Sequence, residues 1–131
     1  MWKRLSGVLR PWSKRQSRLM LQRKTYDIGD FVRYFESDPT IAEALWEALA
    51  REAEVEGFKP APGDDLVYVF GLADEDLDDV VVKLLQRCGC RVPPPAETAN
   101  MAPIRTVADL YSFLEQMKPA DPSRYDDPAA P

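Results

Sequence analysis

Asp74, Glu75, Asp76, Asp78 and Asp79 place five carboxylates within six consecutive positions. Paired carboxylates such as Asp76 and Asp79 can act as general acid and base, and a run of them can equally face a basic partner. The first use needs supporting groups. The chain has no histidine, the commonest general base near neutral pH. It also lacks a glycine-rich phosphate loop, and the carboxylates fall on the expected exposed edge of a helix rather than in a cleft. The sequence therefore points away from an enzyme. Cys88 and Cys90 are its two cysteines, whereas a zinc site takes about four ligands of Cys or His type. One ends an apolar helical stripe and the other lies just past it, which reads as two small buried thiols in a reducing compartment. No catalytic, metal or cofactor-binding residue is expected.

What remains for the acidic run is recognition. Asp74, Glu75, Asp76, Asp78 and Asp79 form a candidate face for a protein partner with a basic surface, where opposed charges set association rate and specificity more than affinity. The simpler alternative is a solvated helix start, since carboxylates suit the positive end of the helix dipole. Five acids crowded together also repel one another, which argues for something beyond capping.

A second charged group lies at the other end of the chain. Residues 1–26 hold eight Lys or Arg and no Asp or Glu, while the other 105 residues carry nine bases and 22 acids. The net charge of −5 thus divides into an arm of +8 and a body of −13. An acidic body repels nucleic acid, so none is expected as a partner. Within the arm, Trp2, Leu5, Leu9 and Trp12 are spaced as one helical face would require, although Pro11 interrupts it. Basic amphipathic segments with tryptophan lie on anionic membrane surfaces, which makes Trp2, Lys3, Arg4, Arg10, Trp12, Lys14, Arg15 and Arg18 candidate membrane or anion contacts. Three other readings stay open: a tail whose apolar residues pack on its own domain, a transit peptide, or an arm folded back on the acidic helix. No run reaches the eighteen or so apolar residues of a membrane span, so a cytoplasmic protein, at most peripheral to a membrane, is expected.

These groups must be positioned by helices. Ile28 to Glu36 predicts a short aromatic-rich turn or helix. Asp38 as cap and Pro39 in the first turn begin a long amphipathic helix that buries Ile41, Ala44, Leu45, Ala48, Leu49 and Val55 and stops at Gly57. Asp64 to Phe70 has strand-like propensity but nothing to pair with, and is expected as a loop packed over the bundle. Leu77, Val80, Val81, Leu84, Leu85 and Cys88 repeat at helical spacing and predict a helix over 75–88 ended by Gly89. Pro93-Pro94-Pro95 is a stiff connection before one short turn at Ala96 to Asn100. The last helix starts with a capping box, Thr106 and Asp109, and buries Val107, Leu110, Leu114 and Met117, with Tyr111 and Phe113 flanking. From 119 to 131 the proline-rich composition is that of a disordered tail.

Read in order, Phe70-Gly71-Leu72-Ala73-Asp74, the acidic helix ending in Cys88-Gly89-Cys90-Arg91-Val92-Pro93, and Ile104-Arg105-Thr106-Val107-Ala108-Asp109-Leu110 resemble the acyl carrier proteins. In that family the corresponding segments read roughly Leu-Gly-x-Asp-Ser-Leu-Asp, Phe-Gly-Ile-x-Ile-Pro and Ile-x-Thr-Val-x-Asp-Leu. The likeness covers about 80 residues and needs no gap between Phe70 and Pro93. It is closer still to a bacterial family of acyl-carrier-like domains of unknown function, whose acidic helix opens without a serine. Both groups usually have aspartate where Ala73 stands. The resemblance puts Asp74 at the position of the serine that takes the phosphopantetheine arm, and a carboxylate cannot be so modified. Ser6, Ser13, Ser17, Ser37, Ser112 and Ser123 all lie outside residues 38–111, so a carrier modified at an atypical site is the lesser alternative. The expected fold is all-α, a small acyl-carrier-protein-like helical bundle at 27–118 with a basic N-terminal arm at 1–26 and a disordered tail at 119–131. The expected function is non-catalytic binding of a basic protein through the acidic helix. Anchoring at a membrane surface by the arm is the alternative.

Overall fold

Short polar side chains decide where four of the helices begin. Asp27 and Asp30 exchange side-chain-to-backbone hydrogen bonds of 3.1 and 2.9 Å at one start, and Thr106 and Asp109 do the same at 3.1 and 3.0 Å at another. Asp38 accepts the Ile41 amide at 3.2 Å, and Asp65 accepts those of Val67 and Tyr68 at 2.9 and 2.7 Å. Each bond satisfies an amide that the first helical turn leaves without a partner.

The computed structural model describes residues 11–119. It is all-α, with α1 at Pro11–Gln22, α2 at Ile28–Phe35, α3 at Pro39–Glu52, α4 at Leu66–Phe70, α5 at Glu75–Arg87, α6 at Pro95–Thr98 and α7 at Val107–Met117. α3 packs on α2, α5 and α7, α5 also packs on α7, and α1 packs on α4. Among the described residues, the only bridge of strand type joins Asp65 to Thr106. No described helix is long and apolar enough to cross a membrane.

The core follows the helical spacing. Ile41, Leu45 and Leu49 of α3 meet Leu84 and Leu85 of α5 and Leu110 and Leu114 of α7, all essentially inaccessible to solvent. Tyr111 and Phe113, expected only to flank the α7 stripe, are buried as well. Phe35 stacks on Tyr111 with ring centroids 4.1 Å apart, and Phe31 meets Trp46 edge-on at 5.3 Å. α2 thus closes an edge of the bundle with aromatic rings, worth about 0.5–1.5 kcal/mol per pair beyond area burial.

Two elements differ from the pattern of the sequence. Residues 66–70 form a helix instead of a loop: Leu66, Val69 and Phe70, at helical spacing, all point into the core, and Asp65 caps the turn against its β-branched propensity. α3 stops at Glu52, short of Val55, because Ala53 turns extended at ψ 148° and the Val55 amide donates to Gln16 Oε1 of α1 at 2.9 Å. Tertiary hydrogen bonding overrides local propensity in both places.

The two ends of the bundle are tied by polar contacts across long stretches of chain. The Leu66 amide donates to Arg105 O at 2.8 Å, Val107 N to Asp64 O at 3.0 Å and Arg91 N to Met117 O at 3.0 Å. Asp38 is the densest of these points. It caps α3, its own amide donates to Tyr111 Oη at 2.8 Å, and its carboxylate pairs with Lys118 beyond α7. Burial alone would raise the Asp38 pKa, but Lys118 and the Ile41 and Thr40 amides outweigh it and hold it below the usual value. Burial pushes Tyr111 up to about 12, so its hydroxyl stays protonated.

A carboxylate with a lowered folded-state pKa contributes stability above its unfolded pKa and loses it as pH falls through the folded value. Asp38→Asn, which keeps the cap but not the charge, is expected to be less stable at neutral pH. Its urea midpoint should fall less between about pH 4 and pH 2 than that of the wild type. Parallel acid limbs in the two proteins would show that the Asp38–Lys118 pair contributes nothing. Gln16→Leu should cost about 2–4 kcal/mol by the same assay, because it leaves the Val55 amide and the Val69 carbonyl without their buried partner.

Candidate interaction site at the start of α5

The site is built on a glycine. Gly71 leaves α4 in the left-handed region with φ 72°, which lets the Leu72 amide return to Leu66 O at 3.0 Å and sends Leu72 into the core. A Cβ at Gly71 would lie 2.8 Å from Cε2 of the Trp12 indole. Glycine is thus required for backbone conformation and for close approach alike.

Trp12 is held there by α1. Trp12, Arg15 and Gln16, three and four residues apart, point at the same neighbour. The Trp12 indole N–H donates to Val67 O at 3.2 Å, Arg15 Nη1 to Tyr68 O at 3.1 Å and Gln16 Nε2 to Val69 O at 2.8 Å. Gln16 is completely buried, and the Arg15 guanidinium lies 3.7 Å above the centroid of the Tyr68 ring. The far end of the same segment is fixed by Arg23, which makes a two-pronged pair with the buried Asp64 at 2.6 and 2.9 Å and a bond to Lys59 O at 2.7 Å. Tyr26 adds a bond to Pro60 O at 3.0 Å. Residues 11–26, read from sequence as part of an arm, are therefore packed on the body.

Trp12, Val67, Gly71, Ala73, Asp74, Glu75 and Asp76 line a shallow groove of about 470 Å³. One wall is an indole and the half-exposed Val67, and the other is the acidic start of α5. Asp74 sits at the N-cap position of α5 with φ 49° and ψ −115°, and unlike Asp27, Asp38 and Asp65 it makes no side-chain cap. A residue with a Cβ in such a conformation costs on the order of 1–3 kcal/mol. Asp74, Glu75, Asp78 and Asp79 are exposed and Asp76 is partly so. Among the described residues, none of the five carboxylates has an ion-pair partner.

The basic candidates divide. Trp12 turns inward to the groove, Arg15 lies along α4, Lys14 is exposed, and Arg18, also exposed, lines a shallow pocket with Arg15, Asp64, Asp65 and Tyr68. Trp2, Lys3, Arg4 and Arg10, together with residues 120–131 of the expected tail, lie outside the described residues. The structure brings Trp12 to Asp74, Glu75 and Asp76, two groups that the sequence assigned to separate roles. It does not pair the described α1 cations with that acidic run. Gln16 was not singled out from sequence. Its signal is a polar residue inside the stripe formed by Trp12, Leu19 and Arg23.

No family model matches the chain, and no curated protein or solved structure matches it. What the site can do is therefore argued from its own chemistry. Its groups suit a cationic, partly apolar ligand segment: carboxylates for the charge and an indole with an aliphatic neighbour for the stem. Cys88 and Cys90 are half-buried free thiols beyond the other end of α5. Burial raises both pKa values, which keeps them protonated and weakly nucleophilic. Among the described residues, no cluster of three or more His, Cys, Asp or Glu side chains is arranged to hold a metal ion.

The Gly71–Trp12 contact can be read by a double-mutant cycle. Gly71→Ala should cost about 2 kcal/mol or more from left-handed strain and the clash with the indole. In a Trp12→Ala background the same change should cost less, with a coupling of about 0.5–3 kcal/mol in chemical denaturation. Strict additivity would show that the indole does not sit against Gly71.

Proposed function

We propose that this chain is a non-catalytic adaptor that resembles a carrier protein, lacks the serine for a phosphopantetheine arm, and binds a protein with a basic surface. Asp74, Glu75, Asp76, Asp78 and Asp79 supply the contact. The observation that carries the reading is the unpaired state of these carboxylates beside the Trp12 groove, among the described residues. A helix start needs one cap, and here Asp74 occupies the cap position without capping. Interior packing and dipole effects leave most of this charge unexplained, whereas recognition of a basic patch uses it directly.

The order of elements supports the carrier-like part of the proposal. A long helix, an acidic helix, a short turn and a final capped helix come in this order as α3, α5, α6 and α7, with the one-turn α4 in the connection between the first two, where the resemblance expects a loop. Asp74 falls at the loop-to-helix junction where the resemblance places the modified serine. A carboxylate there has no hydroxyl to phosphorylate, so the reading has no cofactor and no acyl group.

Affinity capture of the full-length protein from its native cells, with the bait's intact mass recorded, tests both parts. A specific co-purifying protein and an unmodified bait are expected. Asp76→Lys with Asp79→Lys should abolish its capture while leaving the circular-dichroism spectrum unchanged. Capture that survives charge reversal places the contact elsewhere, and a bait heavier by a phosphopantetheine group makes the protein a carrier.

A further inference from the structure

Cys88, Gly89 and Cys90 form the exit from α5. Three amides turn back along the helix there: Cys88 N to Leu84 O at 2.9 Å, Gly89 N to Gln86 O at 3.3 Å and Cys90 N to Leu85 O at 2.9 Å. Gly89 takes the left-handed conformation, φ 67°, that this ending requires. The turn folds Cys90 back on the helix, and its sulfur lies 3.9 Å from Cys88 O. Two residues of chain span at most about 7 Å between Cα atoms even when extended. A bend at the middle residue brings the ends within the roughly 4.4–6.8 Å that a disulfide bridges. The Cys90 thiol also serves another helix. At the end of α7 the Lys118 amide goes to Glu115 O at 3.3 Å rather than to Leu114 O, and the Cys90 thiol donates to Leu114 O at 3.5 Å. It thus caps a carbonyl near the end of that helix. Among the described residues the Cys88 thiol makes no hydrogen bond. Both cysteines are half-buried, and a Cβ on Gly89 would meet no atom within 4 Å, so the space beside the pair admits a small molecule.

We propose that Cys88 and Cys90 are a thiol–disulfide exchange site, oxidised to an internal disulfide by low-molecular-weight disulfides, and that oxidation takes the Cys90 thiol from Leu114 and uncaps α7. The Cys88 thiolate attacks one sulfur of the small disulfide, forms a mixed disulfide and releases one small thiolate. The Cys90 thiolate then attacks the Cys88 sulfur and releases the second. The protons of the two protein thiols end on the two released thiols, and two electrons pass from the protein to the reagent. The second step joins residues two apart in the chain, so it outruns attack by a thiol from solution. Burial raises the Cys88 pKa and Asp38 adds to it, whereas Arg87 and Lys118 oppose it. Thiolate is scarce at neutral pH but strongly nucleophilic once formed. A disulfide sulfur has no proton to donate, so Leu114 O loses its donor whatever the geometry of the new bond. The site lies at the opposite end of α5 from Asp74 and stands independently of the adaptor reading.

The test holds the reduced full-length protein in excess oxidised glutathione, quenches it in acid and alkylates the remaining thiols. The expected product has lost two hydrogens by intact mass, carries no alkyl group on Cys88 or Cys90, and regains both thiols in reduced glutathione. Cys90→Ala should stop at a mixed disulfide on Cys88. Amide hydrogen exchange reads the second half of the proposal. Oxidation should speed exchange in the last turn of α7 about two- to tenfold, the range set by one hydrogen bond. Reduced Cys90→Ala should show the same increase, and Cys90→Ser, whose hydroxyl can still donate to Leu114 O, should not. Both variants should keep the circular-dichroism spectrum of the wild type. A wild type that stays fully alkylated, retains glutathione or pairs between chains overturns the proposal. So does an internal disulfide that leaves exchange at the end of α7 unchanged.

Discussion

A five-residue helix cannot satisfy its own backbone. α4 is little more than one turn: the Gly71 amide returns to Val67 O at 2.9 Å, but the Tyr68 and Val69 carbonyls would be left beside the buried Leu66, Val69 and Phe70. The structure resolves this with side chains from a distant element: Trp12, Arg15 and Gln16 donate to Val67, Tyr68 and Val69 in register. The rest follows from that contact. It fixes α1 on the body, draws the Val55 amide out of α3, and sets the indole over Gly71 where the chain turns toward α5.

The same contact separates the charges. Seating α1 by three donors on one face leaves Lys14 and Arg18 exposed. The acids of α5 lie beyond the indole, on the far wall of the groove. Cations and carboxylates thus stand apart, and the described residues hold no ion pair that would neutralise the α5 acids with the exposed cations of α1. The ion pairs most removed from water, Arg23–Asp64 and Lys118–Asp38, serve instead to hold distant parts of the chain together. Breaking a buried pair by removing one partner is costly, and so these sites confer geometry even where their net contribution to stability is small.

The proposed adaptor role uses a surface left over once the fold has been satisfied. Asp27, Asp38 and Asp65 are consumed by caps, whereas Asp74 stands at a cap position and caps nothing. Lys59 and Arg23 are consumed by carbonyls and Asp64, whereas Lys14 and Arg18 point to solvent. Polar groups that the fold does not use are the ones free to recognise something else.

Much of the helical content was legible because it rests on local rules. The offsets of Leu77, Val80, Val81, Leu84 and Leu85 defined α5, and the Thr106–Asp109 box and the Asp38-Pro39 start defined the ends of α7 and α3. Periodicity and capping act within a few residues, so one segment of sequence contains all the information. The acidic run and the basic segment were equally plain, since charge is a property of composition. What the sequence alone left open was long-range. Val67-Tyr68-Val69 has the propensity of a strand and becomes a helix because its carbonyls find Trp12, Arg15 and Gln16 more than fifty residues earlier. Val55 has the spacing of an α3 residue and leaves the helix because Gln16 takes its amide. Trp12 has the spacing of a lipid-facing stripe and turns inward because Gly71 offers a surface without a Cβ. Local pattern determined which segments are helices and which charges they bear. Only tertiary packing decided which face of each is consumed by the fold, because a buried hydrogen-bond partner can lie anywhere along the chain.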